Sequence, residues 1–463
     1  MRGFPNNLFV GERFSVVGLG RNGLPAATAL VAMGATVTAW DDSQAARDAA
    51  AARGIAIADP CSGVLMADAM VLSPGIPHIL PRPHPAAARA IALGIPILSD
   101  ADLLYRAVRR AGSRARFAGI TGTNGKSTTT ALLAHILDRA GVPMAAGANL
   151  GTPALALPLL PDHGVYVLEM SSYMLERIEK LRFDVAVMLN LSADHIDRHG
   201  DMAGYARAKR AVFARQGVGD LSVVGIDDPL SREMADRLSA LPAQVLRISG
   251  EGPGEGPGDV TGAGGILRDV RGPLLDLARA PTLPGSHNWQ NAAAATAMAL
   301  TLGVSRADIA AAIPSYPGLP HRQQLVAEID GIRFINDSKA TNADAAARAL
   351  GCYDRLIWIA GGMAKEGGIG PLAEYFPRVA RALLIGRDAP ALAETLAAHH
   401  VAHETVTTLD AAVPAALAAA RAAGVSTVLL SPACASFDQF SGFDARGDRF
   451  AALAAALQTG RAA

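Results

Sequence analysis

The chain has 463 residues, half of them hydrophobic and 18% charged, a composition that builds real cores and excludes a disordered protein. Lys plus Arg equals Asp plus Glu, 42 of each, so no overall field favours nucleic acid or an anionic membrane, while small anionic ligands stay open. Cys61, Cys352 and Cys434 lie far apart without a C-x-x-C pattern, no charged-then-apolar leader opens the sequence, and no apolar run reaches the ~20 residues that span a bilayer, which together predict reduced thiols in a cytoplasmic protein.

The length allows about three domains. In the first hundred residues, Phe14–Gly18 reads as a buried strand, Leu24–Met33 as a helix, Thr36–Trp40 as a second strand, and Met70–Leu72 as a third, ending in the turn Ser73-Pro74-Gly75. This is a βαβ domain. Between strand and helix stands Gly18-Leu19-Gly20-Arg21-Asn22-Gly23, with Asp41 and Asp42 after the second strand, a good fit to the dinucleotide fingerprint. Read naively it predicts an NAD(P)-dependent oxidoreductase. The same geometry suits any nucleoside diphosphate, and a tight turn without ligand is the plain alternative. A boundary falls near Asp100, with Ala101–Arg110 a linking helix.

The middle region opens with Gly119-Ile120-Thr121-Gly122-Thr123-Asn124-Gly125-Lys126-Ser127-Thr128, after an apolar run and before a helical pattern, Thr129 to Ala140. Glycines let backbone N–H groups curl around phosphate oxygens at a positive helix N-terminus. Lys126 can reach terminal phosphates, and Ser127 or Thr128 can hold Mg²⁺. The usual phosphate-loop pattern wants glycine where Ile120 stands, so a plain strand-to-helix turn is the alternative. Strands at Val165–Glu169 and Val185–Asn190 follow. Glu169 is placed to hold Mg²⁺, or is an ordinary surface carboxylate. Asp194-His195-Ile196-Asp197-Arg198-His199 has zinc-like spacing, but no third ligand is evident, and Mg²⁺ suits a triphosphate site better. Asp197 and His199 then read as local hydrogen-bonding residues. Lys209 lies on a helical pattern where most lysines are solvated. The Gly/Pro-rich stretch Gly250–Gly265 reads as a mobile surface loop.

A second boundary falls at Pro314–Pro320, with three prolines in seven residues. Beyond it, strands are expected at Arg333–Ile335, Leu356–Ala360, Ala382–Ile385 and Thr427–Leu430, and the Ala-rich helical pattern Ala411–Ala423 is broken by Pro414 and Arg421. Parallel sheets bind ligands at the carboxyl ends of their strands, which points to Asn336–Asn342, Gly361–Lys365 and Ser431–Phe443.

Taken together these stretches resemble the Mur ligases, ATP-dependent amide-forming enzymes of peptidoglycan precursor synthesis. Thr121-Gly122-Thr123-Asn124-Gly125-Lys126-Ser127 matches their phosphate loop, which accounts for Ile120. Leu319-Pro320-His321-Arg322, Ile335-Asn336-Asp337-Ser338-Lys339-Ala340-Thr341-Asn342 and Leu430–Phe440 are similar to the members that add D-glutamate.

The resemblance implies an α/β protein of three domains: residues 1–100, Rossmann-like, for a UDP-substrate; 101–319, a central P-loop-type ATPase; and 320–463, Rossmann-like, for the amino acid. It implies a monomer acting on UDP-N-acetylmuramoyl-L-alanine, D-glutamate and ATP with two Mg²⁺ ions, through an acyl phosphate. Lys126, Glu169, His195 and Lys209 match its catalytic residues, with Lys209 as a carbamate. Ser127, Glu169, His195 and carbamylated Lys209 match the metal ligands. Gly122, Thr123, Asn124, Gly125, Lys126, Ser127, Thr128, Asn288, Asn291, Arg322 and Asp337 match ATP contacts. Gly20, Asn22, Gly23, Asp41, Asp42, Ser73, Gly75, Asn149 and His195 match the UDP-substrate site. Arg21-Asn22 and Asp42-Ser43 depart from the family pattern at the uridine. Thr341, Lys365, Ser436, Phe437 and Phe443 match the D-glutamate pocket. The rivals are another Mur-type or folylpolyglutamate-type ligase, an NAD(P)-dependent oxidoreductase, and a non-catalytic nucleotide-binding module.

Overall fold

Short apolar runs closed by turn residues form strands, and the periodic runs between them form helices that cross over to the next parallel strand. The computed structural model describes residues 3–252, 259–365 and 367–460. Three α/β sheets result. The first two lie in one compact unit, Met1–Arg279 with Asn288–Ser315, and the third in a second unit, Ala280–His287 with Tyr316–Ala463.

The first sheet is all parallel, in the spatial order Ala56–Ile57, Thr36–Trp40, Arg13–Val17, Ala69–Leu72, Ile97–Leu98. The order reverses at Arg13–Val17, so the turn after this strand and the turn after Ala69–Leu72 lie side by side. Their packing leaves no room for a side chain at Gly18 or Gly23. A Cβ on Gly23 would stand 1.7 Å from the Gly18 carbonyl oxygen, and one on Gly18, at φ +86°, would stand 2.6 Å from Ile76 Cδ1. The obstacle at Gly23 is backbone and cannot step aside. Gly23→Ala is therefore expected to destabilise the protein by about 1–3 kcal/mol or more. A thermal or urea melt coinciding with that of the parent would contradict this.

The second sheet has nine strands, in the order Gly272–Asp276, Ile266–Asp269, Val260–Thr261, Gln244–Ser249, Leu221–Gly225, Val185–Met188, Arg116–Thr121, Val165–Glu169, Met144–Ala148. The seven strands from Val260–Thr261 to Met144–Ala148 run parallel, and antiparallel pairs close the other edge. Arg116–Thr121 lies between Val185–Met188 and Val165–Glu169 and is parallel to both, so the loops following the three strands open on one edge. The linking helix runs Asp100–Arg110, one residue longer than expected, because Ser99 caps it by accepting from the Asp102 N–H. Asp102 is wholly buried, and its Oδ1 accepts from the N–H groups of Glu179, Lys180 and Leu181 at 2.7, 2.7 and 2.8 Å, fastening the helix to the second sheet.

Two expectations need correction. Of the stretch Gly250–Gly265, residues 253–258 lie outside the described residues, and Asp259–Gly262 is buried. Val260–Thr261 is a buried strand, and a Cβ on Gly262 would meet Trp289 Cβ at 2.7 Å. The glycine allows the close approach of Trp289, so smallness here marks packing. The helix Leu409–Ala423 runs through Pro414, since Leu409, Ala412, Val413, Ala416, Leu417 and Ala420 bury one continuous face.

The third sheet runs Gln324–Ile329, Ile332–Asn336, Thr427–Leu430, Leu356–Gly361, Val379–Ile385, His403–Thr407, parallel except for the first pair.

Candidate functional site

The phosphate loop follows the strand Arg116–Thr121 and opens the helix Lys126–Arg139. Gly125 caps that helix in the left-handed region, φ +84°, and a Cβ there would lie 2.3 Å from Asn291 Oδ1. The strand expected to reach Asn190 ends at Met188, and Asn190, two residues beyond it, holds the loop from both sides. Its Oδ1 accepts from the Asn124 N–H at 2.8 Å, and its Nδ2 donates to the Asn124 carbonyl at 3.2 Å. Thr123 Oγ1 accepts from the Ser192 N–H at 3.0 Å and lies 3.3 Å from the Tyr205 hydroxyl. Lys126 Nζ donates to the Gly122 and Thr123 carbonyls at 2.9 and 2.7 Å. Ser127 is buried and Thr128 half-buried on the first turn of this helix.

Lys209 is the largest surprise of position. Only 2% of it is exposed, and its Nζ donates to the Gly122 carbonyl at 2.7 Å, beside the Tyr205 ring at 4.7 Å. Burial, and then the nearby Lys126 ammonium, hold its pKa well below the usual lysine value, against the opposing charges of Asp194 and Glu169. Its amine is thus chemically available in a way a solvated lysine is not.

Glu169 ends its strand 2% exposed. Oε1 accepts from Asn149 Nδ2 at 2.5 Å, while Oε2 is buried with no hydrogen-bond partner among the described residues. An orphaned carboxylate oxygen, on the strand paired with the one that leads into the phosphate loop, is costly unless something cationic completes it. The Glu169 carboxylate and the Ser127 hydroxyl, in the first turn of the loop helix, are hard oxygen donors, which fit Mg²⁺.

His195 begins a short helix in the left-handed conformation, φ 53°, with Nε2 3.4 Å from Asp194 Oδ2. Burial lowers its pKa; Asp194 opposes that, and Lys209 and Lys126 add to it. The zinc reading of this segment fails. Among the described residues no three His, Cys, Asp or Glu side chains cluster as a metal site. His199 uses both nitrogens, Nδ1 at 3.0 Å from Glu176 Oε1 and Nε2 at 2.9 Å from Ser172 Oγ.

Of the amides expected at adenine, Asn291 Oδ1 accepts from Thr129 Oγ1 at 3.2 Å and Nδ2 donates to Asn288 Oδ1 at 3.1 Å, so this buried pair also braces the loop helix.

At the first sheet, Asp41 grips its own turns. Oδ2 accepts from the Leu19 N–H at 2.6 Å and Oδ1 from the Ser43 N–H at 2.9 Å. Each oxygen keeps a second lone pair for a ligand. Asp42 is exposed, with Oδ2 3.8 Å from His84 Nε2. Ser73 Oγ donates to the Gly18 carbonyl at 2.8 Å, Asn22 Nδ2 reaches Asp100 Oδ2 at 3.4 Å, and Gly20 and Gly75 meet no neighbour that would exclude a side chain.

In the second unit, Asp337 and Arg322 are neighbours. Asp337 Oδ1 accepts from the Gln323 N–H at 3.2 Å and Oδ2 from Ser431 Oγ at 2.8 Å. Burial raises the Asp337 carboxyl from 3.8 to about 7, against the lowering by Ser431, Gln323 and Arg322. Between those values the folded chain keeps a proton that the unfolded chain has released. Stability therefore falls as pH rises through this window, and the penalty is complete above it. Asp337→Asn removes the titration, so its stability relative to the parent is expected to improve by roughly 2–4 kcal/mol between about pH 4 and pH 8. Urea melts at both pH values check this; a constant difference would contradict it.

The three loops at the carboxyl ends of the third sheet are joined by Arg446, which the sequence reading missed. This guanidinium is 1% exposed. Nε donates to Ser338 Oγ at 2.9 Å, Nη2 to the Ser338 and Cys434 carbonyls at 2.9 and 3.1 Å, and Nη1 to Cys434 at 3.1 Å. Burial lowers its pKa to about 10, so it stays charged at neutral pH. Met363 and Ala435 exchange backbone bonds at 2.8 and 2.9 Å, which brings the Lys365 and Ser436 loops together. Ser338 Oγ also donates to the Phe443 carbonyl at 2.7 Å, and Lys339 Nζ lies 3.7 Å from the centre of the Phe443 ring. Thr341 is half-buried and Ser436 buried, whereas Lys365 is exposed and Phe437 is 70% exposed. Arg446 has a faint signature, three residues after Phe443 on the same helix. Asn190 and Tyr205 are likewise legible only as a strand end and as the residue one helical turn before Lys209.

Residues 120–299 match the Mur ligase middle domain, and residues 321–434 match the Mur ligase glutamate ligase domain. A protein of Paramagnetospirillum magneticum named UDP-N-acetylmuramoylalanine–D-glutamate ligase is 50% identical over 460 residues, 98% of this chain and 99% of that one. One of the same name from Rhodospirillum rubrum is 48% identical over 98% of this chain and 97% of its own. Among solved structures, the UDP-N-acetylmuramate-alanine ligase of Thermotoga maritima shares the fold, with a TM-score of 0.56 over 95% of this chain and 98% of that one, at 18% identity.

Proposed function

The chain belongs to the Mur ligases, among the UDP-N-acetylmuramoylalanine–D-glutamate ligases, and from that premise we propose how its own residues perform ATP-dependent ligation of D-glutamate to UDP-N-acetylmuramoyl-L-alanine. The observation that carries the reading is the buried constellation at the phosphate loop: Lys126 and Lys209 on the Gly122 carbonyl, and Glu169 with an orphaned oxygen. Membership of this family removes the nicotinamide reading of the first sheet, whose glycine turn then serves a uridine diphosphate.

The carboxylate of the UDP-substrate attacks the γ-phosphorus of ATP, and the bond to ADP breaks. The amine of D-glutamate, having lost one proton, attacks the acyl carbon. The C–O bond to phosphate then breaks, and the nitrogen sheds a second proton to leave the amide. Lys126, the loop N–H groups and the helix N-terminus offset the charge on the moving phosphoryl group. Ser127, Glu169, His195 and Lys209 as a carbamate would hold Mg²⁺, which when bound supplies further positive charge at the phosphate oxygens. His195, kept neutral by its surroundings, stands beside the substrate carboxylate, and Asn149 orients both Glu169 and the muramoyl group. Gly20, Asn22, Gly23, Asp41, Asp42, Ser73 and Gly75 take the UDP end. Asn288, Asn291, Arg322 and Asp337 take adenosine and phosphate. Thr341, Lys365, Ser436, Phe437 and Phe443 take D-glutamate, whose two carboxylates need hydroxyls, N–H groups and a cation.

The domain limits 1–100, 101–319 and 320–463, a monomeric state and a cytoplasmic location belong to the same reading. No helix among the described residues is long and apolar enough to cross a membrane. The test is phosphate release with UDP-N-acetylmuramoyl-L-alanine and ATP across D-glutamate, L-glutamate, L-lysine and diaminopimelate. Release is expected with D-glutamate alone; release with any other acceptor and not with D-glutamate would overturn the assignment.

A further inference from the structure

The segment Ser73–His78 leaves the strand Ala69–Leu72 and packs directly on the glycine turn, through Ser73 and Ile76 against Gly18. Its acceptors are claimed by two arginines of the second sheet's loops. Arg177 is 3% exposed; its Nη1 donates to the Leu72 and Ser73 carbonyls at 2.8 and 3.0 Å, and its Nη2 to the Ile76 carbonyl at 2.5 Å and to His78 Nδ1 at 3.3 Å. Arg198 Nη1 donates to the Gly75 carbonyl at 2.9 Å, and its guanidinium lies 4.3 Å from the centre of the Tyr173 ring. Burial brings Arg177 down only to about 10, so it remains a cation at neutral pH. Burial first, then Arg177, Arg198 and His199, push His78 down to about 4, so a neutral ring is present to accept.

The other end of this network is His195. Arg198 belongs to the short helix Ile196–His199 that His195 opens. The Tyr173 ring under Arg198 lies 5.0 Å from the His195 ring and 5.7 Å from the His199 ring. His199 is fixed in turn by Glu176 and Ser172, and Glu176 directly precedes Arg177. Two cations on carbonyls of one short loop bind more tightly than neutral donors would, and every member of the chain from Gly75 to His195 is held by a bond or a ring contact.

We propose that Arg177 and Arg198 are positioning residues that lock the Ser73–His78 loop to the His195 helix, so that a nucleotide-linked substrate held at the first sheet presents its far carboxylate at one fixed place. The proposal rests on the reading that this loop and His195 both serve the UDP-substrate. Binding energy at the remote nucleotide is then converted into rate at the reacting end, and a misplacement of about 1 Å costs on the order of 100-fold.

The full-length variants Arg198→Ala and Arg177→Met test this. Calorimetry gives the Kd for UDP, and steady-state assays give kcat and the KM for ATP. The expected result is a kcat lowered about 10- to 100-fold, with UDP affinity and ATP KM within about twofold of the parent. A kcat within twofold of the parent, or a loss of rate matched by a loss of UDP affinity, would overturn the proposal. If Arg177→Met fails to fold by circular dichroism, Arg198→Ala, whose side chain is only partly buried, decides the question. A parent protein that releases no phosphate with D-glutamate would instead overturn the ligase reading, and the positioning role with it.

Discussion

Lys126→Ala is expected to slow D-glutamate-dependent phosphate release by about 100- to 1000-fold, while calorimetric binding of UDP stays at the parent level. The separation follows from placement. Lys126 is the first residue of the helix after the phosphate loop, with Nζ on the Gly122 and Thr123 carbonyls, whereas the glycine turn of the first sheet lies on a different sheet of the same unit. Charge on the transferring phosphoryl group develops at the loop, where the ammonium, the backbone N–H groups and the helix N-terminus act together. The stem of Lys126 is half-buried, so the truncation leaves little cavity and the fold should persist. A residual rate within tenfold of the parent would remove Lys126 from the chemistry. Loss of UDP binding would mean that the substitution had damaged more than the loop.

The second large effect is expected at Lys209. A neutral amine attacks the carbon of CO₂ and releases one proton, becoming a carbamate; a protonated one has no lone pair to offer. Burial and Lys126 hold this pKa low, which favours the neutral amine at working pH. The product reverses the local charge from cation to anion and adds a hard oxygen ligand beside Glu169. Removing dissolved CO₂ should therefore lower turnover of the parent severalfold, with bicarbonate restoring it. Lys209→Ala should lose about 100-fold or more and show no response to bicarbonate. Carbon NMR with labelled bicarbonate should give a carbamate resonance in the parent and none in the variant. A parent rate indifferent to CO₂, with no such resonance, would leave Lys209 as a buried amine on the Gly122 carbonyl.

How much of this was legible in the residues differs from place to place, for physical reasons. Thr36–Trp40, Val165–Glu169 and Thr427–Leu430 were read at the limits they occupy, because each is an apolar run closed by a polar or turn residue. Met144–Ala148 was missed, since Met-Ala-Ala-Gly-Ala has almost no β propensity and becomes a strand by pairing with Val165–Glu169. The edge strand His403–Thr407 offers a single apolar residue, Val406, to the core and is otherwise polar. The glycines of the two nucleotide turns announced themselves, as local chemistry does. Lys209, Arg177 and Arg446 did not. A helix period tells which residues share a face, but not that the face meets a phosphate loop or the carbonyls of separate loops. Their burial is a property of tertiary packing, and only there does a commonplace cation become a site residue.

The central claim is that the oxygen lost from the muramoyl carboxylate leaves on phosphate. UDP-N-acetylmuramoyl-L-alanine carrying ¹⁸O in its free carboxyl group, turned over with ATP and D-glutamate, tests it by mass spectrometry of the released phosphate. One labelled oxygen per phosphate, formed only when D-glutamate is present through to product, is the predicted result. Unlabelled phosphate alongside amide product would contradict the acyl phosphate and, with it, the role given to the loop at Lys126.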